Sequence, residues 1–331
     1  PKPSASNQGA PTASWMARPS MAVETPVDLQ ERGFSENAQP HHVVAEPDGS
    51  HWYVSLIGAN TILKMNRQNE IVARLDNFEV PGLLALDPSK DVLYAGRSMS
   101  AVNPPKSLGM IERSDMEIME RVGTFFPRPH PLAVTPNGEH AFIASLGTNQ
   151  LMGIDTDTRE TQLTRLEGTT QTPVQFAATA DGSTLIAGGQ KTGQLLVFDA
   201  SEAPALSVTD TLAVGSQPWH PVIGRQSGLA YVPNKMSNSI SVVDVDNASV
   251  QATIRGDGLA QPHGTVLSAD GRHLFVSNNN REGTYEPRGD NPEAGTVTVI
   301  DTRTNEIVKV IEVGTYPTGV GTFGGAQPTG S

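Results

Sequence analysis

The chain has no cysteine. That excludes disulfides, thiolate metal sites, thiol nucleophiles and a covalently attached c-type haem, and leaves histidine and carboxylate as the side chains able to hold a metal. It also has no apolar run approaching the ~20 residues needed to cross a bilayer, so a transmembrane protein is not expected. Charge is sparse and of the wrong sign for nucleic acid: charged residues make up 18%, and 23 Lys+Arg against 35 Asp+Glu give a formal net charge of −12. With no segregated basic patch, such a chain repels a phosphate backbone. Missing too are a Gly-rich phosphate loop in a strand-to-helix context, an HExxH pair and a nucleophile elbow.

What is plentiful is turn formers, 32 Gly and 25 Pro in 331 residues, and they recur in order. The segment from Gln261 to Asn280, QPHGTVLSADGRHLFVSNNN, has weaker copies from end to end. Each copy has a proline, often a histidine beside it, an apolar strand, a tight turn and a second apolar strand. Copies start near Pro40, Pro81, Pro129, Pro173, Pro218, Pro262 and Pro317, at spacings of 41, 48, 44, 45, 44 and 55 residues. A period of this size marks a repeat architecture. Four apolar runs per copy, separated by turn residues, predict four-stranded antiparallel meanders, with strands called A to D from here on.

Two markers fix the register. The A-to-B connections PDGS, PSKD, PNGE, ADGS and ADGR are turns in which Asp or Asn bonds its own backbone and Gly takes positive φ. Strand C ends in Asp155, Asp199, Asp244 and Asp301, and Glu24 fits the same place. The seventh copy stops after strand A, so the N-terminal segment is expected to supply its outer strands. That closes the ring and removes exposed edges. The expected fold is an all-β, seven-bladed β-propeller over residues 15–325, with its ring closed by pairing N-terminal strands with the C-terminal strand. Residues 1–14, rich in Pro, Ser, Ala and Gln, read as a flexible leader, the spacer of an exported protein, and 326–331 as a flexible tail.

YVPNKMSNSISVVDVDNASV, and HLFVSNNN with TVTVIDTRTNEIVKVIEVG, resemble the YVTN-type repeat of exported β-propellers, over essentially the whole chain beyond about residue 20. The resemblance implies the fold and an exported protein, in the periplasm or outside the cell; a monomer is expected. It does not choose among the surface-layer, lactonase, ligand-binding and cofactor-domain functions reported for such propellers.

In such a blade strand A lines the channel, and the D-to-A and B-to-C connections share one face. Both long insertions, Arg97 to Ser107 and Asn279 to Gly295, are B-to-C connections on that face, where binding is expected. The residue after each proline is His41, Gly82, His130, Val174, Trp219, His263 and Thr318 in turn. Three histidines divide the ring almost evenly and could converge on the axis. Neutral imidazoles suit transition metals such as copper or zinc. His41, His130 and His263 therefore rank first as metal ligands. His220 follows, needing a local irregularity that Pro218 and Pro221 could supply. His42 comes last, because neighbours in a regular strand face opposite ways. The alternative is that these histidines only bond backbone at the strand entrance. His51, His140 and His273 read as surface residues on the other face.

A ring of propeller histidines also resembles the copper-cluster domain of nitrous oxide reductases. That family uses more histidines and a cysteine-bearing copper domain, so a full reductase is not expected here. The lactonase resemblance implies Arg, His and acidic groups in the channel, for which Arg97, His130, Arg281 and Glu282 are available. Tyr285 is the one aromatic in the blade-six insertion, a candidate lid or docking arm for a protein partner. The first expectation is a transition metal or small polar ligand held by histidines at the channel mouth, the second an interaction scaffold on the same face, the third a lactonase-like hydrolase.

Overall fold

The computed structural model describes residues 3–17, 22–23, 27–98, 100 and 102–322. Their strands form seven antiparallel sheets. The innermost strands are Pro40–Ala45, Pro81–Leu86, Pro129–Val134, Pro173–Ala178, Val222–Ile223, Pro262–Leu267 and Pro317–Thr322. Each touches the next around the ring, and the last touches the first. The chain is a seven-bladed propeller.

The turns form as their residues dictate. Gly49, Gly138, Gly182 and Gly271 have φ between 66° and 76°, a region L-residues avoid. The preceding Asp48, Asn137, Asp181 and Asp270 accept backbone N–H groups two residues on. Strand C hands over to D in the same way, with Asp155, Asp199, Asp244 and Asp301 accepting from the turn that follows. Strands A to C are buried on both faces, whereas the outer strand of blade four, Ser207–Ala213, is almost entirely exposed. Packing therefore runs between blades: Leu83, Tyr94 and Met110 of blade two share one cluster with Leu132, Ile143 and Ile154 of blade three.

Closure is more extensive than expected. Pro317–Thr322 pairs with Pro3–Asn7, which pairs with Thr12–Ala17, on which Ala22–Val23 and Val27–Asp28 then pair. Residues 3–14 are thus strands B and C of the seventh blade, not a leader. Ser6 and Asn7 are buried there without an apolar run, and their side chains donate to neighbouring groups. Ser6 Oγ donates to the His41 carbonyl at 3.0 Å, and Asn7 Nδ2 to Thr12 Oγ1 and Ser14 Oγ at 3.0 and 3.1 Å. Ala13, Val27 and Leu29 then join Val43, Trp52 and Val54 of blade one in a common core. Glu24 and the tail 326–331 lie outside the described residues.

One irregularity positions the site. The residue before each proline, Gln39, Val80, Arg128, Thr172, Gln217, Gln261 and Tyr316, has φ of 46–57°, a left-handed kink that turns the chain into the channel. In blades one, two, three, four, six and seven the register then slips by one, so two residues after the proline oppose one on strand B. This is a β-bulge, and it re-aims side chains. Blade five goes further: Trp219 and His220 leave the ladder between an isolated Pro218–Asn234 bridge and Val222–Ile223. The two prolines thus produce the irregularity His220 needed.

Candidate functional site

His41, His42, His130, His220 and His263 are all buried, none more than 5% exposed, and they form one cluster. Ring centres of His41 and His130 lie 5.7 Å apart, His42 and His220 6.1 Å, and His220 and His263 4.9 Å. Trp219 completes it, 5.0 Å from His263. The arrangement is not the even triangle that ring position suggested. His41 reaches past blade two to His130 because Gly82 stands between them: a Cβ there would come within 3.4 Å of His130 Nδ1 and 2.7 Å of Ser98 Oγ.

The bulge also changes the account of His42. In a regular strand His41 and His42 would face apart, but here both oppose Ser55, and Ser55 Oγ accepts the His42 N–H at 3.2 Å. His42 Nδ1 accepts the Leu84 N–H of blade two at 3.1 Å. The neutral ring therefore carries its proton on Nε2, which leaves no free lone pair for a metal. Gln175 does the same work in blade four, its Oε1 accepting the Leu132 N–H at 3.0 Å. His42→Gln should therefore leave stability within about 1 kcal/mol of the parent, whereas His42→Leu, which orphans the buried Leu84 N–H, should cost about 1–3 kcal/mol. Urea unfolding at pH 7.5 measures both. Equal stability of the two variants would remove this role.

The other four rings are differently placed. Both ring nitrogens of His41 are buried without a hydrogen-bond partner, as are Nε2 of His220 and Nδ1 of His263. His130 Nδ1 is 2.5 Å from Ser98 Oγ; with the hydroxyl accepting, Nε2 keeps a lone pair. Burial is the main force on all five pKa values. It pushes His41 down to about 4 and, helped by His41, pushes His42 to about 3. His130, His220 and His263 fall well below 6.5 through burial first and then repulsion from their neighbours, including Arg128 on His130 and Lys235 on the other two. Five neutral imidazoles result at pH 7.

Two imidazoles on one tetrahedral ion, with metal–nitrogen bonds near 2.0–2.1 Å, have ring centres roughly 5 Å apart. The His220–His263 and His41–His130 separations match this pairwise. Among the described residues no three His, Asp or Glu side chains are arranged to hold a single ion, so ligation by more than two requires rings to turn.

The remaining candidates divide. Arg281 lies over the Tyr316 ring at 4.7 Å, and Glu282, exposed beside it, acts on Lys235. Arg97 is engaged by Glu79 at 2.6 Å and by Ser107 Oγ at 2.7 Å. Tyr285 is buried and donates to Glu312 Oε1 at 2.8 Å, while Gly289 N–H donates to the same carboxylate and Arg288 pairs with Asp257. The blade-six insertion is thereby folded back onto its own outer strand, which occupies Tyr285. His51, His140 and His273 are half-buried at the starts of their B strands. Lys235, Ser98 and Gln175 carry no sequence signal of their own; their importance arises from the blades they meet.

No family model matches the chain. Antigen Lp49 of Leptospira interrogans serogroup Icterohaemorrhagiae serovar copenhageni (strain Fiocruz L1-130) is 33% identical over 288 residues, 84% of this chain and 51% of that protein. The chain thus spans about half the length of this relative. Among solved structures, a functionally unknown protein from Desulfotomaculum acetoxidans DSM 771 superimposes with a TM-score of 0.76 at 12% identity, over 96% of this chain and 98% of that one. Kuenenia stuttgartiensis hydrazine synthase gives 0.69 at 17%, covering 86% and 90%. A streptogramin B lyase structure gives 0.67 at 13%, covering 86% and 87%. At these identities the likeness is one of fold. No helix among the described residues is long and apolar enough to cross a membrane.

Proposed function

We propose that the protein binds a transition-metal ion, copper or zinc, through His41, His130, His220 and His263 at the mouth of its channel. The observation that carries this reading is the set of buried ring nitrogens with no partner in the protein. Buried polar atoms are seldom left unsatisfied, and each one in a native fold calls for an ion, water or ligand. Burial supports it further by keeping the lone pairs unprotonated at neutral pH. His42 acts beside them as a hydrogen-bonded support. Export to the periplasm or cell exterior is part of the reading, and the description of the half-matching relative as an antigen supports it.

The experiment is metal analysis of protein purified from its native source, followed by Cu(II) and Zn(II) titration of stripped protein and of His130→Ala/His263→Ala. Bound copper or zinc, lost in the double variant, is the expected result. Metal-free native protein, together with equal uptake by the variant, would end the proposal.

A further inference from the structure

The mouth beside His220 and His263 is cationic in a chain whose formal charge is −12. Lys235 opens the short 3-10 turn Lys235–Ser237 between strands B and C of blade five. Its N–H donates to the Gln217 carbonyl at 2.9 Å, which fixes the backbone, and its ammonium stands 4.6 Å from the centre of the Trp219 ring. Arg281 begins the blade-six insertion, and its N–H donates to Gln261 Oε1 at 2.7 Å. The same Gln261 side chain reaches Met236 Sδ through Nε2 at 3.9 Å, so one residue ties the two cation-bearing segments together.

Lys235 is pulled down to about 8 by burial first and then by Arg281, with Glu282 opposing, and Lys235 in turn acts on His220 and His263. The Trp219 ring under the Lys235 ammonium carries a buried donor without an acceptor, its Nε1–H. A buried N–H of this kind is costly unless something accepts from it. A cation and an orphaned N–H thus meet beside His263, and Arg281 begins the segment that Gln261 ties to them.

We propose that Trp219, Lys235 and Arg281 form an anion subsite at the channel mouth, taking a carboxylate or phosphate oxyanion that lies against the His220–His263 pair. Charge-assisted hydrogen bonds from Lys235 and Arg281 hold its oxygens. The inference deepens the metal reading by giving the charge of what joins the ion. Its donors are side chains that need no metal.

The test uses the whole chain, stripped with EDTA and separately loaded with Zn(II), titrated calorimetrically with acetate and with inorganic phosphate. Lys235→Met keeps the apolar stem over Trp219 and removes the charge; Arg281→Gln is the second variant. Lys191→Gln, an equal charge change on an exposed loop of blade four, is the control. Binding of at least one probe by stripped protein is expected, weakened roughly tenfold in each subsite variant and unchanged in the control. Preference between acetate and phosphate identifies the source of the oxyanion. No binding of either probe, or equal weakening in Lys191→Gln, overturns the subsite. Zn(II) uptake by Lys235→Met shows separately whether the metal reading stands.

Discussion

Metal-free protein loses several kcal/mol of stability as the pH is lowered from 6.5 to 4.5, a fall that starts above the carboxylate range. The sign follows from linkage: an unfolded histidine binds a proton near pH 6.5, while the folded cluster does not, so the unfolded state binds more protons and stability rises with pH across the window. For His41, held down to about 4 by burial, each pH unit below 6.5 removes about 1.4 kcal/mol, or about 3 kcal/mol by pH 4. His42 titrates lower still, near 3, and His130, His220 and His263 move in the same direction. Carboxylates such as Asp301, lowered to about 2 by its hydrogen bonds to Arg303, and Glu312, lowered first by the Arg288 N–H, withdraw their contribution progressively below about pH 5. The slope between pH 6.5 and 5.5 therefore belongs to the histidines. Urea unfolding at pH 7.5, 5.5 and 4.5 in EDTA measures the slope, and His42→Gln should lower it by up to one proton. A flat profile above pH 4.5 would mean that the cluster is solvated and protonates in place.

Removing either histidine pair should weaken Cu(II) binding by roughly 10²-fold or more, since loss even of outer supports costs 10–100-fold. The pairs to remove are His41→Ala/His130→Ala, whose rings meet across Gly82, and His220→Ala/His263→Ala, whose rings are 4.9 Å apart. Trp219, 5.0 Å from His263, reports the ion through fluorescence quenching. His42→Gln should leave affinity within a few-fold, because His42 Nδ1 already serves Leu84. If one pair is dispensable, the ion sits on the other alone. If both are, the four imidazoles do not form the site.

Much of the fold was legible because seven copies repeat the same local chemistry. Proline and Asp-Gly turns mark strands A and B, and a terminal Asp marks strand C. The first two strands of the closing blade were hidden because PSASN has no apolar alternation, the buried Ser6 and Asn7 being held by hydrogen bonds. The readable signal was an asparagine followed five and seven residues later by Ser or Thr. Asn7 bonds Thr12 and Ser14 just as Asn234 bonds Ser239 and Ser241. That pattern places residues 3–14 in strands B and C without any hydrophobic period.

The candidate site was legible in its residues more than in its geometry. His41, His130, His220 and His263 come together. The pairing of His41 with His130 depends on the missing side chain of Gly82, and the entry of His42 depends on a bulge that a period of two cannot anticipate. Lys235 gains its position from tertiary contact with Trp219 in its own blade and from the Gln261 tether. Tyr285 and Arg97 failed to join because Glu312 and Glu79 claim them first.

The most direct test of the central claim is anomalous scattering at the copper edge from crystals of the whole chain grown with Cu(II). The account predicts a peak inside the channel within bonding distance of ring nitrogens drawn from His41, His130, His220 and His263. Peaks confined to His51, His140 or His273 on the opposite face, or none at all, would contradict it.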